Sequence, residues 1–154
     1  MLILAYGSNM NWDQMRGQCP SSRFVGIAVL REHKLAFTRK SPNRGCGVAD
    51  LVAKDGARVW GVVYEIADLD VGKLGISAGF RLGRARNSYY RRECVVFLDG
   101  DDHHPLTVSA YFGDQQSAPP PPNAAYKHLM LTGARHWHLP DEYIRGLEQI
   151  EVGG

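Results

Sequence analysis

Strand-forming runs fill the first two-thirds of this chain and helical patterns the last third, an order that excludes the regular strand–helix alternation of a parallel βαβ sheet. The sharpest run, Val59-Trp60-Gly61-Val62-Val63-Tyr64-Glu65-Ile66, is strongly β-branched and aromatic and predicts a strand within the β-rich stretch that follows the polar loop Ser41 to Gly45. The short apolar run Leu2 to Ala5 predicts a buried strand ended by a turn at Gly7-Ser8-Asn9. Residues 23 to 38 predict one long strand or two short ones. Tyr89 to Leu98 and Leu106 to Phe112 predict an antiparallel pair joined through the Asp99-Gly100 turn signal. Asn9 or Asn11 can cap a short helix through Asp13 and Met15. Ala67-Asp68-Leu69-Asp70 predicts the start of another, with Leu69 and Leu74 facing the core and Gly79 near its end. After the extended run Pro119 to Pro122, two helices close the chain, the second carrying Tyr143, Leu147 and Ile150 at helical spacing. The expected fold is α+β: a small mixed or antiparallel β-barrel flanked by short helices.

Size and composition limit the functions open to such a fold. The 154 residues, 44% apolar and 22% charged, suit a single domain over residues 1–154 that closes one core without metal or disulfide staples. A net charge of +2 is too small for nucleic-acid recognition by the whole surface. The three cysteines, Cys19, Cys46 and Cys94, are odd in number and form no C-x-x-C pair, so free thiols in a reducing cytoplasm are expected. Met1 to Ala5 lacks a basic flank and is too short for a signal peptide or a membrane span, which makes the cytoplasm the default location and leaves no membrane partner.

Arg81, Arg84, Arg86, Arg91 and Arg92, with Tyr89 and Tyr90 among them, form an arginine–aromatic cluster of a kind that can bind single strands or phosphate. The modest net charge instead favours a solvated loop beside a pocket for carboxylate-rich ligands. In His136-Trp137-His138 no third ligand follows in sequence, so no metal is expected.

The most suggestive short motif is Tyr6-Gly7-Ser8-Asn9-Met10, because a Gly-Ser-Asn turn between strand and helix offers unpaired backbone N–H groups to an anion. On those five residues alone, an ordinary strand-to-helix turn with an Asn cap is the better account. Distant segments add to it in a fixed order: Trp60-Gly61-Val62-Val63-Tyr64, Tyr89-x-Arg91, Ala118-Pro119-Pro120, Tyr126-Lys127 with Gly133-Ala134, and Leu139-Pro140-x-Glu142-Tyr143. Over nearly its whole length the chain resembles the γ-glutamylcyclotransferase family, which includes AIG2-like proteins.

The resemblance implies cleavage of γ-glutamyl amines or peptides, the α-amine attacking its own γ-carbonyl to release 5-oxoproline. It implies no metal or organic cofactor, a small-molecule γ-glutamyl substrate as partner, and room for a homodimer. It assigns Tyr6, Gly7, Ser8, Asn9 and Met10 to the binding loop, and Tyr89, Tyr111 and Tyr126 to the pocket wall, where hydroxyls can donate to carboxylate oxygens. Core packing with a satisfied hydroxyl is the plainer role for each of these tyrosines.

One segment departs from the family's pattern. Where the family reads Leu-Asp, two residues, then Glu-Gly, this chain reads Leu74-Gly75-Ile76-Ser77-Ala78-Gly79. Ala78 therefore stands at the position of the general acid/base glutamate. Asp68 and Asp70 lie about two turns away, roughly 12 Å along the helix axis, and Glu93 is expected to pair with neighbouring arginines. The alternative reading is a catalytically inactive module that binds γ-glutamyl ligands or regulates through them.

Overall fold

A computed structural model of the chain describes residues 1–83 and 86–153, so Arg84 of the arginine cluster lies outside the described residues. The strands are β1 (Leu2–Ala5), β2 (Arg23–Lys40), β3 (Gly47–Glu65), β4 (Tyr89–Leu98) and β5 (Pro105–Gly113), and they close a barrel in the order β1-β3-β2-β4-β5. The β1–β5 pairing is parallel and the others are antiparallel, which makes the barrel mixed as expected. Around it lie α1 (Trp12–Gln18), α2 (Asp68–Ala78), α3 (Ala124–His136) and α4 (Asp141–Glu148). No helix among the described residues is long and apolar enough to cross a membrane.

Residues 23 to 38 belong to one strand, which pairs with β3 in a long hairpin whose register shifts at Phe24/Gly26, Arg31/His33 and Phe37/Arg39. Such bulges bend a strand and increase its twist, which allows a five-stranded sheet to close. Val62, Val63 and Tyr64 are all fully buried although they alternate in direction. Both faces of β3 are therefore covered here, one by the barrel interior and one by Trp12 of α1 and Trp137 just after α3.

The aromatic packing also fixes the turn after β1. Tyr64 Oη donates to the carbonyls of Asn9 (3.0 Å) and Met10 (3.3 Å) and accepts from Trp137 Nε1 (3.1 Å). Gly133 of α3 lies against the same turn, so closely that a Cβ there would fall 2.1 Å from the Met10 carbonyl carbon. The proline run is tied alongside β3, where Gly47 N–H donates to Pro121 O at 3.0 Å.

Leu69 departs from expectation, being 84% exposed while Leu74 is buried. Five positions apart, two helical residues point about 140° away from each other and cannot share a face. Asp70 takes an inward position instead. Its Oδ2 accepts from the Ser21 backbone N–H (3.0 Å) and from the Ser21 hydroxyl.

Candidate functional site

A cleft of about 330 Å³ opens between the turn after β1, the C-terminal end of α2, the start of β4 and the loop joining β2 to β3. Tyr6, Gly7, Ser8, Asn9, Ala78, Tyr89, Tyr111 and Tyr126 all line it, so residues spread across the chain meet in one place. Met10 does not. It is fully buried in the core, where it holds the turn from beneath while Ser8 and Asn9 face the cleft.

The turn from Ser8 to Met10 is one 3-10 turn, and its first internal bond runs from Met10 N–H to Gly7 O at 3.1 Å. The Ser8 and Asn9 N–H groups have no acceptor inside the turn, and the Ser8 N–H turns to the Tyr126 hydroxyl. The side chains are fixed by α1: Gln14 Nε2 donates to Ser8 Oγ (2.8 Å) and to Asn9 Oδ1 (2.9 Å). Of the two cap candidates, Asn11 caps α1, its Oδ1 accepting from Gln14 N–H at 2.9 Å.

The tyrosines are held by backbone atoms. Ala49 of β3 donates its N–H to Tyr126 Oη (3.1 Å), and its carbonyl accepts from Tyr89 Oη (2.6 Å). Tyr126 thus keeps its own proton for another acceptor, and Tyr89 keeps lone pairs for a donor. Tyr6 Oη donates to the Tyr111 carbonyl, and the buried Tyr111 hydroxyl has no partner among the described residues. Burial is the first cause that pushes the pKa of Tyr6, Tyr89 and Tyr126 above the ordinary tyrosine value, reinforced at Tyr6 and Tyr89 by neighbouring ionisable groups that include Asp50. Burial also raises Tyr111, with Arg91 acting against it. All four are neutral hydroxyls at pH 7.

Ala78 is the last residue of α2; the chain leaves the helix through Gly79 at φ 88°, whose carbonyl accepts from the N–H of Ser88, the residue before β4, at 3.0 Å. No aspartate or glutamate lines the cleft among the described residues. Asp70 is occupied by Ser21, whose hydroxyl and then backbone N–H lower its pKa. Glu93 is exposed and, contrary to expectation, makes no ion pair among the described residues. Asp50 is 1% exposed behind the wall, where Thr38 Oγ1 (2.7 Å), Leu51 N–H (2.7 Å) and Gly113 N–H (2.6 Å) hold it.

Sequence reasoning missed Ala49, Asp50 and Arg44. Arg44 is half-buried, with its Nη2 on Gln14 Oε1 (2.9 Å) and near Ser8 Oγ (3.4 Å), and its guanidinium carbon 5.2 Å from the centre of the Tyr126 ring. A second, more open depression of about 600 Å³ adjoins the cleft beside Arg39 and Ser88. Its Arg86 is already paired with Asp114 at 3.1 Å.

Comparison with known proteins agrees with this fold. The family model described as the AIG2-like family matches residues 58–147. The chain belongs to the AIG2-like family. A γ-glutamylcyclotransferase of Homo sapiens is 31% identical over 156 residues, covering 97% of this chain and 78% of that protein. The Bos taurus protein of the same name is 30% identical over 155 residues with the same coverage. A solved structure described as a γ-glutamyl cyclotransferase superposes with a TM-score of 0.88 at 29% identity, covering 99% of this chain and 88% of that one. YkqA of Bacillus subtilis, 22% identical with a TM-score of 0.74, shares the fold over 99% of this chain and 56% of its own.

Proposed function

We propose that the cleft binds γ-glutamyl amines or peptides, and that this chain, with Ala78 where the resemblance puts the proton-carrying glutamate, binds them while cyclising them slowly. The observation that carries this reading is the cleft's composition: the polar turn Gly7 to Asn9, four neutral tyrosine hydroxyls and no lining carboxylate among the described residues. The likeness to relatives named γ-glutamylcyclotransferase supports the choice of ligand.

Cyclisation requires the α-ammonium to lose a proton and its nitrogen to attack the γ-carbonyl carbon. A C–N bond closes the five-membered ring, the original amide C–N bond breaks, and the leaving amine takes up a proton. Hydroxyls and N–H groups can hold the α-carboxylate and the developing oxyanion, and the cleft supplies both. Moving the protons needs a group that changes charge near neutral pH, which a tyrosine of raised pKa does poorly.

The loss of a positioned acid/base costs about 10²- to 10⁴-fold in rate, or roughly 3 to 5 kcal/mol in the barrier. Ala78→Glu is therefore expected to raise 5-oxoproline release from a panel of γ-glutamyl amines by a factor in that range, with ligand affinity little changed. Equal release from both proteins would mean that another group carries the protons. Absence of both binding and release would end the γ-glutamyl reading, whereas binding without release in either protein would favour a regulatory module.

A further inference from the structure

The cleft has a charge gradient. Its inner end is built from Tyr6, Tyr111 and Tyr126, each 5–7% exposed, while its outer end carries Arg39, Lys40 and Arg44 from the end of β2 and the loop that follows. None of these three cations has an acidic partner among the described residues. The Arg39 guanidinium donates to the Asp114 backbone carbonyl (2.6 Å), Arg44 is held by Gln14 and Ser8, and the Lys40 side chain is exposed. Arg44 is already oriented by two polar contacts and the Tyr126 ring, so an anion meeting it need not order a free side chain.

Resting on the γ-glutamyl reading, we propose that Arg39, Lys40 and Arg44 make this cleft selective for an acidic leaving amine, one that carries two anionic groups beyond the glutamyl moiety. Neutral hydroxyls and N–H groups inside suffice for the glutamyl carboxylate and carbonyl. Three cations without an acidic partner at the mouth exceed what one further carboxylate needs, and no lining aspartate or glutamate among the described residues competes for them. A second carboxylate on the amine fills that demand through charge-assisted bonds, including those from the Arg44 nitrogens that Gln14 and Ser8 leave free.

The test measures binding by calorimetry to γ-glutamyl-methylamide, γ-glutamyl-alanine and γ-glutamyl-glutamate, whose amines carry zero, one and two carboxylates, which keeps it independent of turnover. Affinity is expected to rise along the series, with about a tenfold gap between the alanine and glutamate conjugates at low salt that narrows as salt is raised. Arg44→Gln should close most of that gap, and Lys40→Gln, at an exposed position where folding is not at stake, should reduce it. Equal affinity for all three ligands overturns the selectivity and leaves the γ-glutamyl reading standing, as does a gap that neither variant changes. Failure of all three to bind removes the reading and the selectivity together.

Discussion

Replacing Gly7 by alanine tests whether the turn and Tyr126 form one mechanical unit. A Cβ at position 7 would fall 2.7 Å from Tyr126 Oη and 3.2 Å from Ala49 Cβ, whereas the nearest ring carbon of Tyr126, Cζ, lies at 3.8 Å. The hydroxyl is thus the main obstacle, and it is also the acceptor for the Ala49 N–H. Forcing it aside strains the wall and breaks that bond, a combined cost of about 2 to 4 kcal/mol from overpacking and an unpaired buried N–H. Tyr126→Phe removes the same bond without the collision and is expected to cost about 1 to 3 kcal/mol. In the double variant the bond is lost only once and the methyl has room, so the two costs should sum to at least about 1 kcal/mol more than the double shows. Backbone effects at position 7 cancel in such a cycle. Urea unfolding of the four proteins, with m-values compared to confirm a shared denatured state, measures the coupling. Costs that add to within about 0.5 kcal/mol would refute the claim that the hydroxyl fills the space above Gly7.

Other perturbations follow from the same packing. Gly133→Ala sets a methyl against the Met10 carbonyl carbon at 2.1 Å and should destabilise the fold by at least about 2 kcal/mol, measured as a lowered Tm; an unchanged Tm would show that α3 does not press on the turn. Trp137→Phe removes the indole N–H from Tyr64 Oη and is expected to cost about 1 kcal/mol and to speed hydrogen exchange at Met10 and Asn11, the amides bonded within the turn; unaltered exchange there would count against Tyr64 as the clamp. Burial pushes the Cys19 and Cys94 thiols from 9.0 up to about 11, so between those pH values the folded chain keeps protons that the unfolded chain has lost, and stability should fall as pH rises through that window. The raised tyrosines add to the fall above pH 10, and a urea midpoint that climbs from pH 9 to 11 would contradict both causes.

The barrel was legible because its strands announce themselves locally. Val59 to Ile66 carries a β-branched, aromatic run, and the β4–β5 turn uses Asp99 and Gly100, both at positive φ as an Asp-Gly turn demands. The position of Ser8 and Asn9 could be read for a similar reason: Asn11 and Gln14 form a cap and a brace within six residues, so the turn is specified by its own neighbourhood. Leu69 went the other way, because composition marks a leucine as apolar but only the helical angle to Leu74 decides which of the two is buried.

The rest of the site could not be read along the chain because it is built from atoms common to every residue. Ala49 matters through its N–H and carbonyl, which Tyr126 and Tyr89 hold from 77 and 40 residues away, and an alanine in a strand gives no sign of that. Asp50 is one residue further on and faces away from the cleft, where its carboxylate ties β2 and β5 to β3 through Thr38 and Gly113. A resemblance carried by short motifs can name the tyrosines, but it cannot say that two of their hydroxyls are engaged by the backbone of one residue, Ala49. That engagement sets their chemistry, leaving Tyr126 a donor and Tyr89 an acceptor towards the cleft. The γ-glutamyl ligand proposed above would bring the matching pair, a carboxylate to accept and an ammonium to donate, to tyrosines held by Ala49, the residue of β3 that pairs with Phe37 across the hairpin.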